Sequence, residues 1–335
     1  MLYSPTKLFL FFLSCIVLLA VNYNTSGFVT AENSTGLNYG LLGDNLPSPS
    51  NVIKLYKSIG ITKIRIFDPN LEVLNALRGH RDIAVTVGVR DQDLAALASS
   101  EEAVKGWFTT NIEPYLADVN IAAITVGNEV IPGPIGSQVL PVMQSLTNLV
   151  KSRNLPIIIS TVVPMSNLEQ SYPPSAGMFT SQAREQLVPV LKLLSQTSSP
   201  ILVNIYPYFP YSSDQANIRL DYATFATEDI VVQDGPLGYS NMFDAMFDAF
   251  VWAMEKEGVK DLPMVVSETG WPSAGNGDFT TPEIAASGKG TPKRPNKGIE
   301  GFLFATFNEN QKPVGTEQNF GLYNPTDMQP IYKLF

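Results

Sequence analysis

Two glutamates stand where an apolar run stops. Ile124-Thr125-Val126-Gly127-Asn128 leads into Glu129, and Met264-Val265-Val266-Ser267 leads into Glu268, followed by Thr269-Gly270-Trp271-Pro272. A carboxyl at the end of an apolar stretch is costly unless something pairs it or uses it, and two that share one site raise each other's proton affinity. One can then stay protonated and hand its proton to a leaving oxygen, while the other stays ionised and attacks an anomeric carbon. Cleavage of a glycosidic bond requires that division of labour, with the carboxyls about 5 to 5.5 Å apart when configuration is retained. On this reading Glu129 is the acid and Glu268 the nucleophile, and Asn128 is placed to hydrogen-bond a sugar 2-hydroxyl. The competing reading has both glutamates tied up in structural ion pairs with Arg or Lys at a rim.

Other chemistries are poorly supplied. Cys15 is the single cysteine and His80 the single histidine of the chain. Cys15 falls in an N-terminal apolar run, so thiolate nucleophiles and zinc-thiolate sites drop out. His80, in Arg78-Gly79-His80-Arg81, reads as part of a polar turn and not as the base of a serine triad. No metal and no cofactor are expected. The net charge of -9 and pI near 4.7 exclude an electrostatic grip on nucleic acid or anionic membrane, which needs clustered Lys and Arg. A neutral partner fits better.

Lys7 precedes the apolar run Leu8 to Val21, polar Asn22 to Ser26 follows, and Val29-Thr30-Ala31 supplies small residues for cleavage. This predicts a secretory signal peptide over 1–31, a mature chain over 32–335, and delivery outside the cell. The run is shorter than the roughly 20 residues of a spanning helix, so no membrane attachment is expected after cleavage. Of the sequons at Asn24 and Asn33, only the second survives that cut.

The elements that must position the glutamates recur along the whole chain. Eight β-branched runs are predicted as strands, at Leu37–Gly40, Lys63–Asp68, Asp82–Val89, Ile121–Glu129, Pro156–Val163, Ile201–Tyr208, Pro263–Gly270 and Gly301–Glu309. Between them, helical patterns are predicted at Ser50–Ile59, Leu71–Leu77, Glu101–Leu116, Ser137–Ser152, Ser181–Ser195 and Tyr239–Lys256. The last carries Phe243, Met246, Phe247, Phe250 and Met254 on one side, a core stripe. Eight alternations without a linker predict the α/β class and a single (β/α)8 TIM barrel, whose active site lies at the C-terminal strand ends where both glutamates fall. Aromatics gather there too: Tyr39, Tyr206, Tyr208, Phe209 and Trp271 suggest a cleft lined for a polymer. Tyr39 and Tyr206 are the expected sugar contacts, with rim packing as the alternative, and Tyr206 is expected to hydrogen-bond Glu268.

Longer motifs sharpen this. They are Gly36-Leu37-Asn38-Tyr39-Gly40, Asn45-Leu46-Pro47-Ser48-Pro49, Val126-Gly127-Asn128-Glu129-Val130, Asn204-Ile205-Tyr206-Pro207-Tyr208-Phe209, Val232-Gln233-Asp234-Gly235, Ser267-Glu268-Thr269-Gly270-Trp271-Pro272-Ser273, Gly290-Thr291-Pro292-Lys293-Arg294-Pro295 and Phe307-Asn308-Glu309-Asn310-Gln311-Lys312. In this order they resemble the plant endo-1,3-β-glucanases of glycoside hydrolase family 17 over nearly all of the mature chain. The resemblance implies the same two glutamates in the same roles, action on β-1,3-glucan, and a charged cluster of Glu309, Lys312 and Glu317 beside the nucleophile; the enzyme is expected to act as a monomer. Lys312 read alone is equally a surface partner of Glu309. A mixed 1,3;1,4-glucan hydrolase and a glucan-binding wall protein without catalysis are the rival readings. One stretch departs from the family: Pro282-Glu283-Ile284-Ala285-Ala286-Ser287 runs almost directly into Gly288-Lys289-Gly290, so the seventh helix is expected to be shortened and the barrel less stable for it.

Overall fold

The computed structural model describes residues 35–280, 292–293 and 299–332. Eight strands, here β1 (Thr35–Asn38), β2 (Lys63–Ile66), β3 (Ala84–Val89), β4 (Asn120–Asn128), β5 (Ile158–Pro164), β6 (Ile201–Asn204), β7 (Met264–Thr269) and β8 (Gly301–Leu303), close into a barrel in the order β1-β8-β7-β6-β5-β4-β3-β2. Every neighbouring pair is parallel. Each predicted run supplies one strand. β3 shows why such a run is apolar on both sides: Val85, Val87 and Val89 are buried and so is Thr86 between them, because barrel interior and helix layer cover opposite faces.

β6 and β8 are shorter than the sequence pattern suggests. Past β6, Pro207 brings no N–H to a ladder, and a helix starts at Tyr208. Past β8 the backbone turns to other partners: Ala305 and Thr306 donate to Phe320 and Asn38 carbonyls.

Among the described residues the α-helices are α1 (Pro49–Ser58), α2 (Leu71–Ala76), α3 (Leu94–Leu97), α4 (Glu101–Asn111), α5 (Val139–Ser152), α6 (Ser181–Thr197), α7 (Tyr208–Ser213), α8 (Leu220–Ala223) and α9 (Met242–Lys256). Side chains of Asn70, Ser100, Thr180 and Asn241 cap four of them, each accepting from a backbone N–H three residues on, which fixes where those helices begin. α4 stops at Asn111, before Pro114, whose ring would clash with a continuing turn. α9 buries Phe243, Phe247, Phe250 and Met254 as its stripe requires. Met246 is only partly buried and reaches the cleft.

The expected shortening of the seventh helix falls on residues 281–291 and 294–298, which lie outside the described residues, as does the expected signal peptide. Lys293 itself is docked on α9. Its backbone N–H donates to Asp248 Oδ2 at 2.9 Å, its ammonium pairs with Glu255 at 3.0 Å, and it sits 3.3 Å from the centre of the Trp252 ring.

Candidate active site

Glu129 follows β4 at a bent strand end. Gly127 has φ 76° and Glu129 φ 59°, and a Cβ on residue 127 would lie 2.7 Å from Val130 Cγ2. Only glycine adopts that backbone there without strain or collision. The β4 to β5 register shifts between Thr125 and Asn128, while Asp91 Oδ1 accepts from the Asn128 N–H and the Val162 carbonyl accepts from the Glu129 N–H. The bend carries Glu129 off the ladder and into the cleft that it lines.

Glu268 lies near the end of β7 and is 7% exposed. One carboxylate oxygen accepts from Arg65 Nη1 at 2.7 Å and the other from Tyr206 Oη at 2.9 Å. Arg65 rises from β2 and is 1% exposed. It also donates to Asn38 Oδ1 at 3.1 Å and Asn128 Oδ1 at 2.7 Å, with its guanidinium 4.4 Å from the Phe67 ring centre. One fork therefore ties together side chains of β1, β2, β4 and β7, a use of its fixed geometry that a lysine cannot copy. Burial, with the Glu268 charge next, pushes the Tyr206 phenol well above its ordinary value, so it stays a donor.

Glu129 is treated differently. Its Oε1 accepts from Asn204 Nδ2 at 2.7 Å, a neutral partner. Burial of the carboxyl raises its proton affinity, the charge of Glu268 adds to this, and the Asn204 bond and Arg65 offset part. The residue as a whole is open to the cleft, so water moderates the effect until something displaces it. Asn204 also pairs in register with Glu268 across β6 and β7, which places the partner of one glutamate beside the other.

The two carboxyls share a cavity of about 650 Å³ with Asn204, Tyr206, Phe209, Met165, Met246, Phe304, Phe320, Lys312 and Glu317. Glu309 lies behind this wall, 3% exposed, with Oε2 3.2 Å from Lys312 Nζ and Oε1 accepting from the Leu42 N–H. Gly40 makes room for it, since any Cβ there would collide with that carboxyl. Lys312 lies 4.0 Å from the Phe304 ring centre. The expected charged cluster is thus assembled at the site and not on an outer helix face.

Among the predicted aromatics, Tyr206 and Phe209 line the cavity, whereas Tyr39 does not. Asn38 points into the barrel, where its Nδ2 donates to Ser267 and Leu303 carbonyls, so the next side chain turns to the helix layer. Tyr39 is 1% exposed, wedged between Tyr56 and Phe307 with ring centres 6.1 and 6.5 Å away. Trp271 is likewise rim packing: it is buried against Tyr208 and Tyr211, and Nε1 donates to the Phe279 carbonyl. Asn128 spends its amide oxygen on Arg65. Sequence reasoning passed over Arg65, Asn204, Phe304 and Phe320. Arg65 had a signal, since an arginine inside Lys63-Ile64-Arg65-Ile66 of a strand covered on both faces must find a buried partner.

Among the described residues, no cluster of His, Cys, Asp or Glu is arranged to hold a metal ion, and no helix is long and apolar enough to cross a membrane.

A closed parallel barrel with two glutamates at the C-terminal mouth, one clamped by Arg and Tyr and one by an amide, defines a glycoside hydrolase. The chain belongs to the glycosyl hydrolases family 17, whose profile matches residues 35–335. Two Arabidopsis thaliana relatives, Probable glucan endo-1,3-beta-glucosidases BG4 and BG5, are 85% and 82% identical, with 100% of this chain and of each relative covered. Among solved structures, CJP38, a beta-1,3-glucanase and allergen of Cryptomeria japonica pollen, superposes with a TM-score of 0.85 at 40% identity, covering 90% of this chain and 98% of its own. One from a study of two plant beta-glucan endohydrolases with distinct substrate specificities gives 0.83 at 39%, covering 89% and 99%.

Proposed function

We propose that this glycoside hydrolase cleaves internal 1,3-β-D-glucosidic bonds of β-1,3-glucans by a retaining double displacement, with Glu129 as acid and base and Glu268 as nucleophile. The observation that carries the assignment is the unequal company of the two carboxyls. Glu268 is held through both oxygens by a guanidinium and a phenol, which aim it as an attacking carboxylate needs to be aimed, while Glu129 accepts only from a neutral amide and is pushed toward its protonated form by burial, against that bond. In the first step Glu268 bonds to the anomeric carbon, the carbon–oxygen bond breaks toward the leaving sugar, and Glu129 gives that oxygen its proton. In the second, Glu129 takes a proton from water, whose oxygen displaces Glu268 from the same carbon. Two inversions return the β configuration. The 1,3-linkage rests on the relatives' names. Cleavage after residue 31, secretion to the cell wall or apoplast and a monomeric state belong to the same proposal.

Incubation with laminarin, reading new reducing ends and the first-formed anomer by NMR, tests the activity and its stereochemistry. A β anomer is expected, and an α anomer at first release excludes the double displacement. Release from mixed 1,3;1,4-glucan with none from laminarin would replace the substrate, and no release from either would leave a binding protein. Glu129→Ala should lose far more rate on laminarin than on an aryl glycoside with an activated leaving group, which needs little proton donation; equal losses contradict the acid assignment.

A further inference from the structure

Ser267 immediately precedes the proposed nucleophile, is fully buried, and is bonded toward the other glutamate's partner. Its Oγ donates to Asn204 Oδ1 at 2.6 Å, and Asn204 Nδ2 donates to Glu129 Oε1 at 2.7 Å. Asn204 is itself 3% exposed, so its amide has little water to turn to. An amide group has two faces of opposite character, and its orientation decides which is shown to the acid. If it rotated, Nδ2 would face Ser267 and Oδ1 would face Glu129. Ser267 would then have to accept, and its hydroxyl hydrogen would lose the Asn204 acceptor it uses now, a costly exchange for a fully buried donor. Ser267 thus biases the amide to present its N–H side.

On the assignment of Glu129 as the acid, we infer that Ser267 and Asn204 form a positioning relay that decides which oxygen of Glu129 carries the transferable proton. With Oε1 accepting from Asn204, the proton resides on Oε2, to which no protein donor among the described residues is bonded. The proton leaves from Oε2 to the glycosidic oxygen as that oxygen takes the electron pair of its bond to the anomeric carbon, and Oε2 later recovers a proton from the attacking water. With the amide reversed, protonated Glu129 would instead donate from Oε1 to Asn204 Oδ1, and the proton would be held away from the substrate.

The relay also bears on ionisation. The groups acting on Glu129 are Glu268 on β7, Arg65 on β2, Asp91 after β3 and Asn204 on β6, with Tyr206, Lys312 and Glu317 on the same cavity wall. Asn204 favours the ionised acid, so releasing it should raise the proton affinity of Glu129.

The test compares Ser267→Ala, Asn204→Ala and the double variant with the unmodified enzyme, reading pH profiles of kcat/KM on laminarin and rates on an activated aryl laminarioside. In both single variants the alkaline limb should move up by roughly half a pH unit or more and kcat on laminarin should fall roughly tenfold or more, with a much smaller loss on the aryl substrate. The double variant should resemble Asn204→Ala alone, because Ser267 acts through the amide. Additive losses, or a limb that stays in place in Ser267→Ala, would overturn the relay. Should Ser267→Ala not fold, Ser267→Cys offers a weaker donor of similar size and should shift the limb in the same direction. Failure of the relay is separable from failure of the acid assignment, since Glu129→Ala reports on the latter independently.

Discussion

At the scale of single residues the site is a distribution of donors. Glu268 takes the charged and the phenolic donor, and Glu129 takes the neutral one. Glu268→Gln keeps the volume and removes the proposed nucleophile, so hydrolysis should fall below roughly 1% of the parent rate while laminarin binding, read by calorimetry, persists. Substantial residual turnover would count against the role. Arg65→Lys should not restore what Arg65→Ala loses, because one ammonium cannot reach Glu268, Asn38 and Asn128 together. Removing a buried counter-ion costs about 3–5 kcal/mol, so Arg65→Ala should unfold at markedly lower denaturant concentration; an unchanged midpoint would show that Tyr206 and water suffice. The upward push on Glu129 also has a sign in pH. Its proton is retained above the ordinary glutamate value of about 4.3, so activity should hold below the raised value and fall as pH rises through it, and an alkaline limb at about 4.3 would mean the carboxyl is not perturbed.

At the scale of elements, α9 combines a core stripe with a burdened first turn. Burial and then the charge of Asp248 raise Asp244 to about 6, against a hydrogen bond from Asn241 that lowers it. The folded state therefore holds this proton more tightly than the unfolded chain, whose aspartates titrate near 3.9. The stability this gives is fully present below about pH 4 and is lost as pH rises through about 6. Asp244→Asn should remove that dependence, so melting midpoints of parent and variant should diverge between about pH 4 and 6, with the parent falling relative to the variant. Parallel curves would show that Asp244 ionises freely in the folded protein.

At the scale of the whole molecule, a barrel core holds the site together without covalent help. The single cysteine cannot form an intrachain disulfide, so the melting midpoint should be the same with and without reductant, by calorimetry in one buffer. A lower midpoint in reductant would point to an uncleaved chain joined to a second copy through Cys15. The core that must suffice runs from the barrel interior to the helix layer as one cluster, with a second cluster of Tyr208, Tyr211, Tyr239, Trp271, Phe304 and Phe320 packed around the mouth. Trp271, one of the aromatics expected to line the cleft, packs into that second cluster.

The sequence by itself determined the barrel and the two glutamates. Strand period and helix period are local properties, and a carboxyl that ends an apolar run announces itself without its neighbours. Tyr206 was readable as a partner of Glu268 because both fall at strand ends that face one mouth. What only the tertiary structure decided is the pairing at that mouth. Arg65 and Glu268 lie 203 positions apart, and Asn204 joins Glu129 to Ser267 across 75 and 63. No local pattern specifies which strand ends meet once a sheet has closed. The same holds for Tyr39 against Asn38: one residue of strand parity separates a side chain inside the barrel from one under α1, and the pattern of a short strand such as Thr35–Asn38 leaves that parity open until β2 and β8 pair with it.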